Sequence, residues 1–212
     1  MKRQTKRRIM ALVMAALMVV GLIPTGFAAK AVSAANNVYT FDASKETAIT
    51  TAEKKADIAA GKYGTEGYFT LSGKVTRGNS STFSAELAKG ADDKEEGALT
   101  FTVTGTADVV VTATSTGSTN TSDLALVDAS GNKIDGIKAV TGTKPETEIK
   151  YTNLAAGTYS IIAPKDGENN RGVRVLSAVV TEIAAAVVTS DYTFDASAET
   201  AITTAEKKAD IA

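Results

Sequence analysis

Ala98-Leu99-Thr100-Phe101-Thr102-Val103-Thr104 alternates apolar and polar residues without a break. Successive side chains on a strand point to opposite faces. Leu99, Phe101 and Val103 therefore share an inward face, and the three threonines share an outward one. β-Branched and aromatic residues suit a pleated, half-buried surface, so the stretch reads as a strand with one wet face. The same period recurs on either side. Residues 67–76 set Phe69, Leu71 and Val75 against Tyr68, Thr70, Ser72 and Lys74. Residues 108–114 align Val109, Val111 and Ala113, residues 123–128 align Leu124 and Leu126, and residues 158–163 align Tyr159, Ile161 and Ala163. A last strand is expected over 172–182.

Turn signals separate these runs at Gly105, Gly117, Gly131, Gly157 and Gly167. Residues 128–132, Asp-Ala-Ser-Gly-Asn, read as a hairpin turn. Short alternating strands at regular spacing predict an all-β fold, an antiparallel β-sandwich of jelly-roll-like form. One segment departs from the pattern. Residues 44–60 have helical propensity, with Ile49, Ala52, Ala56 and Ala59 spaced along one helix face. A short helix near the N-terminus, ended by Gly61, is expected there.

The chain of 212 residues repeats itself once. Tyr39-Thr-Phe-Asp-Ala-Ser-Lys-Glu-Thr-Ala-Ile-Thr-Thr-Ala-Glu-Lys-Lys-Ala-Asp-Ile-Ala59 returns at 192–212, and of these 21 positions only Lys45/Ala198 differs. The offset of 153 residues is the size of a domain, not of a solenoid repeat. The expected organisation is a module over 38–183, a linker over 184–190 and the start of a truncated second copy over 191–212. Residues 1–34 carry a basic start, an apolar run over 9–23 and small-residue sites after it. This is the anatomy of a secretory signal peptide, and the run is short for a membrane span. The expected location is extracellular, with no membrane contact after cleavage.

Composition removes whole classes of chemistry. The formal net charge of −1 conceals an asymmetry, because residues 1–34 hold six basic residues and no acidic one. The remaining 178 residues carry 17 basic against 24 acidic side chains, a net of −7. Such a balance argues against nucleic-acid binding. The chain has no Cys and no His, so Cys–His zinc sites, disulfides and His-based catalysis are all absent. No constellation of polar groups replaces them, and an enzyme is not expected within this stretch.

Several phrases occur in fixed order: Tyr39-Thr-Phe-Asp-Ala-Ser, Tyr63-Gly-Thr-Glu-Gly-Tyr-Phe-Thr, Leu99-Thr-Phe-Thr-Val-Thr-Gly, Leu124-Ala-Leu-Val-Asp-Ala-Ser-Gly-Asn, Leu154-Ala-Ala-Gly-Thr-Tyr and Asn170-Arg-Gly-Val-Arg-Val. Together they resemble the β-sandwich modules attached to secreted bacterial pectate lyases and related polysaccharide-degrading enzymes. The resemblance covers about 38–182. It implies a non-catalytic carbohydrate-binding module, monomeric, whose partner is a plant cell-wall polysaccharide, pectin or homogalacturonan foremost. The alternative is a structural spacer or adhesin-like repeat with no ligand of its own.

Asn170, Arg171 and Arg174 form the leading binding candidate, at a loop-to-strand junction. Guanidinium forks suit carboxylates, and galacturonate carries them. On a regular strand Arg171 and Arg174 face opposite ways; if Arg171 belongs to the loop, both reach one edge. Arg77, Lys74 and Lys150 are the further cations expected to add to such a patch. Tyr68 is the tyrosine expected to be exposed, while Tyr151 and Tyr159 are expected in the core or at its rim. No Trp is present to build a flat stacking strip. Residues 92–96, Asp-Asp-Lys-Glu-Glu, read as a solvated charge run, lacking the spacing of a calcium loop. No cofactor is implied. The leader reading is checked by N-terminal sequencing of the exported protein: cleavage after Ala34 gives a chain starting at Ala35, and retention of Met1 contradicts it.

Overall fold

A computed structural model describes residues 30–32, 35–79, 81–88, 92–117, 119–142, 146–169, 171–184 and 187–189. The expected leader up to residue 29, Asn170 and the second copy of the repeat fall outside these residues. Two units are separable. The smaller holds an antiparallel ribbon of β1 (Lys30–Val32) and β14 (Val187–Thr189). Strands thus occur in stretches assigned from sequence to the leader and the linker.

The larger unit, Ala34–Ala185, is an antiparallel β-sandwich. Its strands are β2 (Asn37–Asp42), β3 (Gly61–Tyr63), β4 (Phe69–Gly73), β5 (Thr76–Arg77), β6 (Ala85–Glu86), β7 (Gly97–Val103), β8 (Thr106–Ser115), β9 (Ser122–Asp128), β10 (Lys133–Val140), β11 (Thr147–Leu154), β12 (Gly157–Ile162) and β13 (Val173–Ile183). One sheet has the order β10-β9-β12-β7-β4-β3. The other has the order β11-β8-β13-β6-β5, with β2 also paired to β13. From β7 to β13 the chain crosses repeatedly between the sheets, so each strand lays one face on a shared core.

The alternation read from sequence is seen in β4, β7, β8 and β12, whereas β9 is buried on both faces, with Ala125 and Val127 buried beside Leu124 and Leu126. Leu99, Phe101 and Val103 are buried, as are Phe69 with Leu71, Val109 with Val111, and Tyr159 with Ile161. Phe41, Phe69, Phe101 and Tyr159 form an aromatic row across the interior, with successive ring centroids 6.1, 5.8 and 6.0 Å apart. Tyr151 is completely buried. The 128–132 turn is closed by Asp128, whose carboxylate accepts from Ser130 N, Asn132 N and Asn132 Nδ2, and Gly131 takes φ 82°. The side-chain amide of Asn132, together with these backbone donors, holds the Asp128 carboxyl below the usual carboxylate range.

The helix expected over 44–60 is a single turn, α1 (Thr47–Thr50). Helical propensity is overridden here by pairing to distant backbone. Lys55 N donates to Arg77 O, Arg77 N to Ala56 O and Ile58 N to Val75 O, and Asp57 bridges Thr76. These bonds need an extended chain, and Lys55 turns it at φ 66°. Gly61 opens β3 instead of closing a helix.

The last strand of the sandwich is irregular. Ala178 and Val180 of β13 belong to the core. Strict alternation would put Arg174 on the same face. A bulge between Val175 and Ser177 resets the phase, so that Val173 and Val175 enter the core and Arg174 leaves it.

Two hydroxyls are set up for an alkaline test. Burial pushes Tyr151 up to about 12. Burial, with Glu182 and Tyr39 nearby, pushes Tyr68 well above the usual phenol range. A raised phenol pKa contributes stability that is present below the unfolded value near 10 and lost as pH climbs past it. Spectrophotometric titration should show these two tyrosines ionising only as the fold is lost. Ionisation of all tyrosines near pH 10 with the circular dichroism unchanged would contradict the buried placement.

Candidate functional site

Thr114, Arg174, Glu86 and Thr76 lie side by side in register across four strands, β8, β13, β6 and β5. Arg174 Nε donates to Glu86 Oε2 at 3.0 Å, and the two side chains are 8% and 5% exposed. That contact occupies one of the five guanidinium donors. The pair forms the floor of a recess of about 220 Å³ lined by Lys55, Asn79, Glu86, Thr116, Arg171 and Arg174. Three cations against one carboxylate leave two positive charges in excess around the cavity.

Each wall has a local cause. The turn that overrides the expected helix brings Lys55 to the rim. Gly78 packs flat beside Arg174: a Cβ there would lie 2.1 Å from Ser84 Oγ and 3.1 Å from Arg174 Cδ. Thr116 N donates to Gly172 O at 3.0 Å, and Ser122 Oγ, itself bonded to Ser115 Oγ, donates to the same carbonyl. The carbonyl between Arg171 and Arg174 is thus pinned to the loop between β8 and β9. Arg171 sits in a bridge before β13 begins and is exposed, so both guanidiniums line one cavity.

The other expected residues go elsewhere. Arg77 points its guanidinium over the Phe83 ring, 4.9 Å from the centroid, and Nη1 donates to Gly78 O. It is buried and braces the Gly78 corner without lining the recess. Lys74 pairs with Asp93 and with Glu96 at 3.4 Å; the hydrogen bond to Asp93 raises its pKa. Lys150 lies on β11, the edge of the sheet opposite β5, and pairs with Glu148 at 3.0 Å. Tyr68 is half-buried, stacked at 3.8 Å on Tyr39, with its hydroxyl donating to Thr102 O. It presents no open face for a sugar ring. The aromatic contacts made by Tyr39 and Phe69 around it account for the difference from the exposed position expected.

Sequence reasoning missed Lys55, Asn79, Glu86 and Thr116, which reach the recess only through long-range pairing. It also misread residues 92–96. Lys94 is 2% exposed and its Nζ donates to Asn169 O, so the run is not simply solvated. Asn169 is held further by buried Asp123, which accepts from its N at 2.7 Å and its Nδ2 at 2.8 Å. These bonds fix the loop after β12 that delivers Arg171. A second recess of about 330 Å³ lies against Asp123, Asp166 and Glu168. Among the described residues no group of three or more His, Cys, Asp or Glu is placed to hold a metal ion.

The floor pair makes a stability prediction. Glu86→Ala strands a buried guanidinium and should cost about 3–5 kcal/mol. Gly78→Ala should also destabilise, through the crowding at Ser84 and Arg174. Urea denaturation measures both. Wild-type midpoints for the two variants would contradict the geometry of the floor.

No family model matches the sequence, and no curated protein matches it. Among solved structures, the chain is similar to an exo-β-1,3-galactanase from Phanerochaete chrysosporium, at 13% identity and TM-score 0.37, over 69% of this chain and 29% of that one. It is similar to the CBM36-1 domain of a multidomain xylanase from the hindgut metagenome of Trinervitermes trinervoides, at 12% identity and TM-score 0.34, over 71% of this chain and 100% of that one. It is similar, too, to the CBM22-1–CBM22-2 tandem domain of a Paenibacillus barcinonensis protein, at 11% identity and TM-score 0.37, over 65% and 48% of the two chains. The chain spans less than a third of the galactanase and about half of the tandem domain. Likenesses at such identities and scores carry no argument about ligand or activity.

Proposed function

We propose that the sandwich is a non-catalytic carbohydrate-binding module of an extracellular protein, holding an acidic plant polysaccharide, pectin foremost, by its carboxylates. The observation that carries this reading is the recess at the start of β13. Lys55, Arg171 and Arg174 surround it with an excess of two positive charges in a body whose net charge is negative. A uronate carboxylate matches the guanidinium fork, and Asn79 and Thr116 supply neutral donors and acceptors for neighbouring hydroxyls. Recognition by charge also suits a molecule whose candidate stacking tyrosine is packed away.

A second reading has its own support. Lys74, Lys150 and Arg174 all stand in ion pairs with acidic residues. A repeated spacer with no ligand would look like this over most of its surface. The two readings part at the recess alone.

Affinity gel electrophoresis separates them, using homogalacturonan of low and high methyl-esterification, xylan, cellulose and a sugar-free gel. Low-ester homogalacturonan should retard the protein, and added salt should abolish the effect. Removing one charged hydrogen-bond donor costs about 1.5–3 kcal/mol, so Arg171→Ala and Lys55→Ala should each weaken binding by roughly ten- to a hundred-fold. Both side chains are exposed, so the fold should survive their loss. Absence of retardation by every glycan would favour the spacer.

A further inference from the structure

Thr76, Glu86, Arg174 and Thr114 stand on the outer face of their sheet. Their chain neighbours Val75, Ala85, Val173, Val175 and Ala113 belong to the core, so the four point away from it. Outward side chains of an antiparallel sandwich are ordinarily wet. As whole residues these four are only between 1% and 6% exposed. Connections, not strands, close over them: the turn at Lys55, the corner at Asn79 after β5, the loop at Thr116 after β8 and the junction at Arg171 before β13. The recess is therefore a cup sunk among loops, not a trough along the sheet. Its volume of about 220 Å³ falls short of the range, roughly 300–1,000 Å³, of sites for drug-sized ligands. Such a cup takes one sugar ring and not a run of rings.

Its charges are layered. Glu86 and Arg174 lie at the floor, while Lys55 and Arg171 are exposed at the rim. Arg174 Nε uses one of about four lone-pair positions of the Glu86 carboxylate, so the floor can still accept from hydroxyls. Beside Glu86 in register, Thr76 Oγ1 is buried without a hydrogen-bond partner among the described residues, as is Ser84 Oγ at the same corner. Buried hydroxyls left unpaired are rare in folded proteins, and here they lie at the floor of a polar cup. The rim offers only cationic donors, which suit a carboxylate. Away from the cup a polyanion finds little to follow. Lys74, Lys133 and Lys150 are each tied to an acid. The body carries more acidic than basic side chains, so each further anionic unit adds repulsion.

We propose that the cup reads one terminal uronate unit, with its carboxylate at Lys55 and Arg171 and its hydroxyls at Glu86 and Arg174. The module then seeks the ends of acidic chains and not their length. This inference rests on the acidic-glycan reading above and adds to it which part of the polymer is held.

The test titrates the isotope-labelled full chain with galacturonate, with its oligomers of two to six units, and with galactose. Amide shifts of Thr116 and Gly172 report binding by NMR. End recognition predicts dissociation constants that agree within about threefold across the uronate series, because added units gain no new subsite. Galactose, which lacks the carboxylate, should bind at least about tenfold more weakly. Arg171→Ala should weaken every uronate alike. An affinity that climbs more than about tenfold with length, and that Arg171→Ala still removes, overturns end recognition and leaves the acidic-glycan reading standing. Galactose binding as tightly as galacturonate overturns the carboxylate's place at the rim. Absence of binding by every uronate, the longest included, overturns the acidic-glycan reading itself.

Discussion

Eleven residues, Val173–Ile183, must satisfy three neighbours at once, and the sandwich is organised by that demand. β13 pairs with β8 along one side, and along the other with β6 at its start and β2 over the rest. A bulge at Leu176 interrupts its register with β8. It divides β13 into a segment that presents Val173 and Val175 to the interior and a segment that presents Ala178 and Val180. A charged side chain between those valines is thereby turned outward beside Glu86. The recess is a by-product of how the last strand fits its partners, before it is anything to a ligand.

Burial of the Arg174–Glu86 pair shapes what the recess can do. An ion pair with little solvent contact is costly to assemble and still more costly to break. Its worth therefore lies in holding one guanidinium in a fixed place. Loop contacts then set the exposed cations around it: the Ser115–Ser122–Gly172 hydrogen bonds for Arg171, and the backbone bonds of Lys55 and Ala56 to Arg77 for Lys55. Rigid donors on paired strands and pinned loops lose less entropy on binding than free surface lysines do. Lys74 and Lys150, tied to acids on flexible stems, offer no such arrangement.

Period-two patterning was legible where a strand has one dry and one wet face. β4, β7, β8 and β12 are of this kind, and their inward residues were readable from alternation alone. β10 was not, because it lies at a sheet edge and is interrupted by Asp135 and Gly136 at positive φ; β11, the edge of the other sheet, alternates only over Ile149 and Tyr151 before Asn153, also at positive φ, breaks it. β5 and β6 have two residues each, too few for any period to register. Residues 51–60 carried a helical signal that distant backbone partners outbid. The site was half visible. Arg171 and Arg174 could be found as paired cations at a junction, but whether they meet depends on the Leu176 bulge and the Gly172 anchor, which leave no local trace. Lys55 and Glu86 come from strands and turns far apart in the chain.

The pairing of β2 with β13 joins the first strand of the sandwich to its last. During synthesis Tyr39 appears roughly 140 residues before Val180, a delay on the order of ten seconds at ordinary elongation rates. Throughout that interval Phe41 has Phe69 and Tyr39 has Tyr68 to pack on, but β2 lacks the strand it pairs with. Pairings so distant in sequence slow the folding search itself. The module can therefore close only after its final strand has been made. A chain of this topology closes last along the seam where its first and last sandwich strands meet.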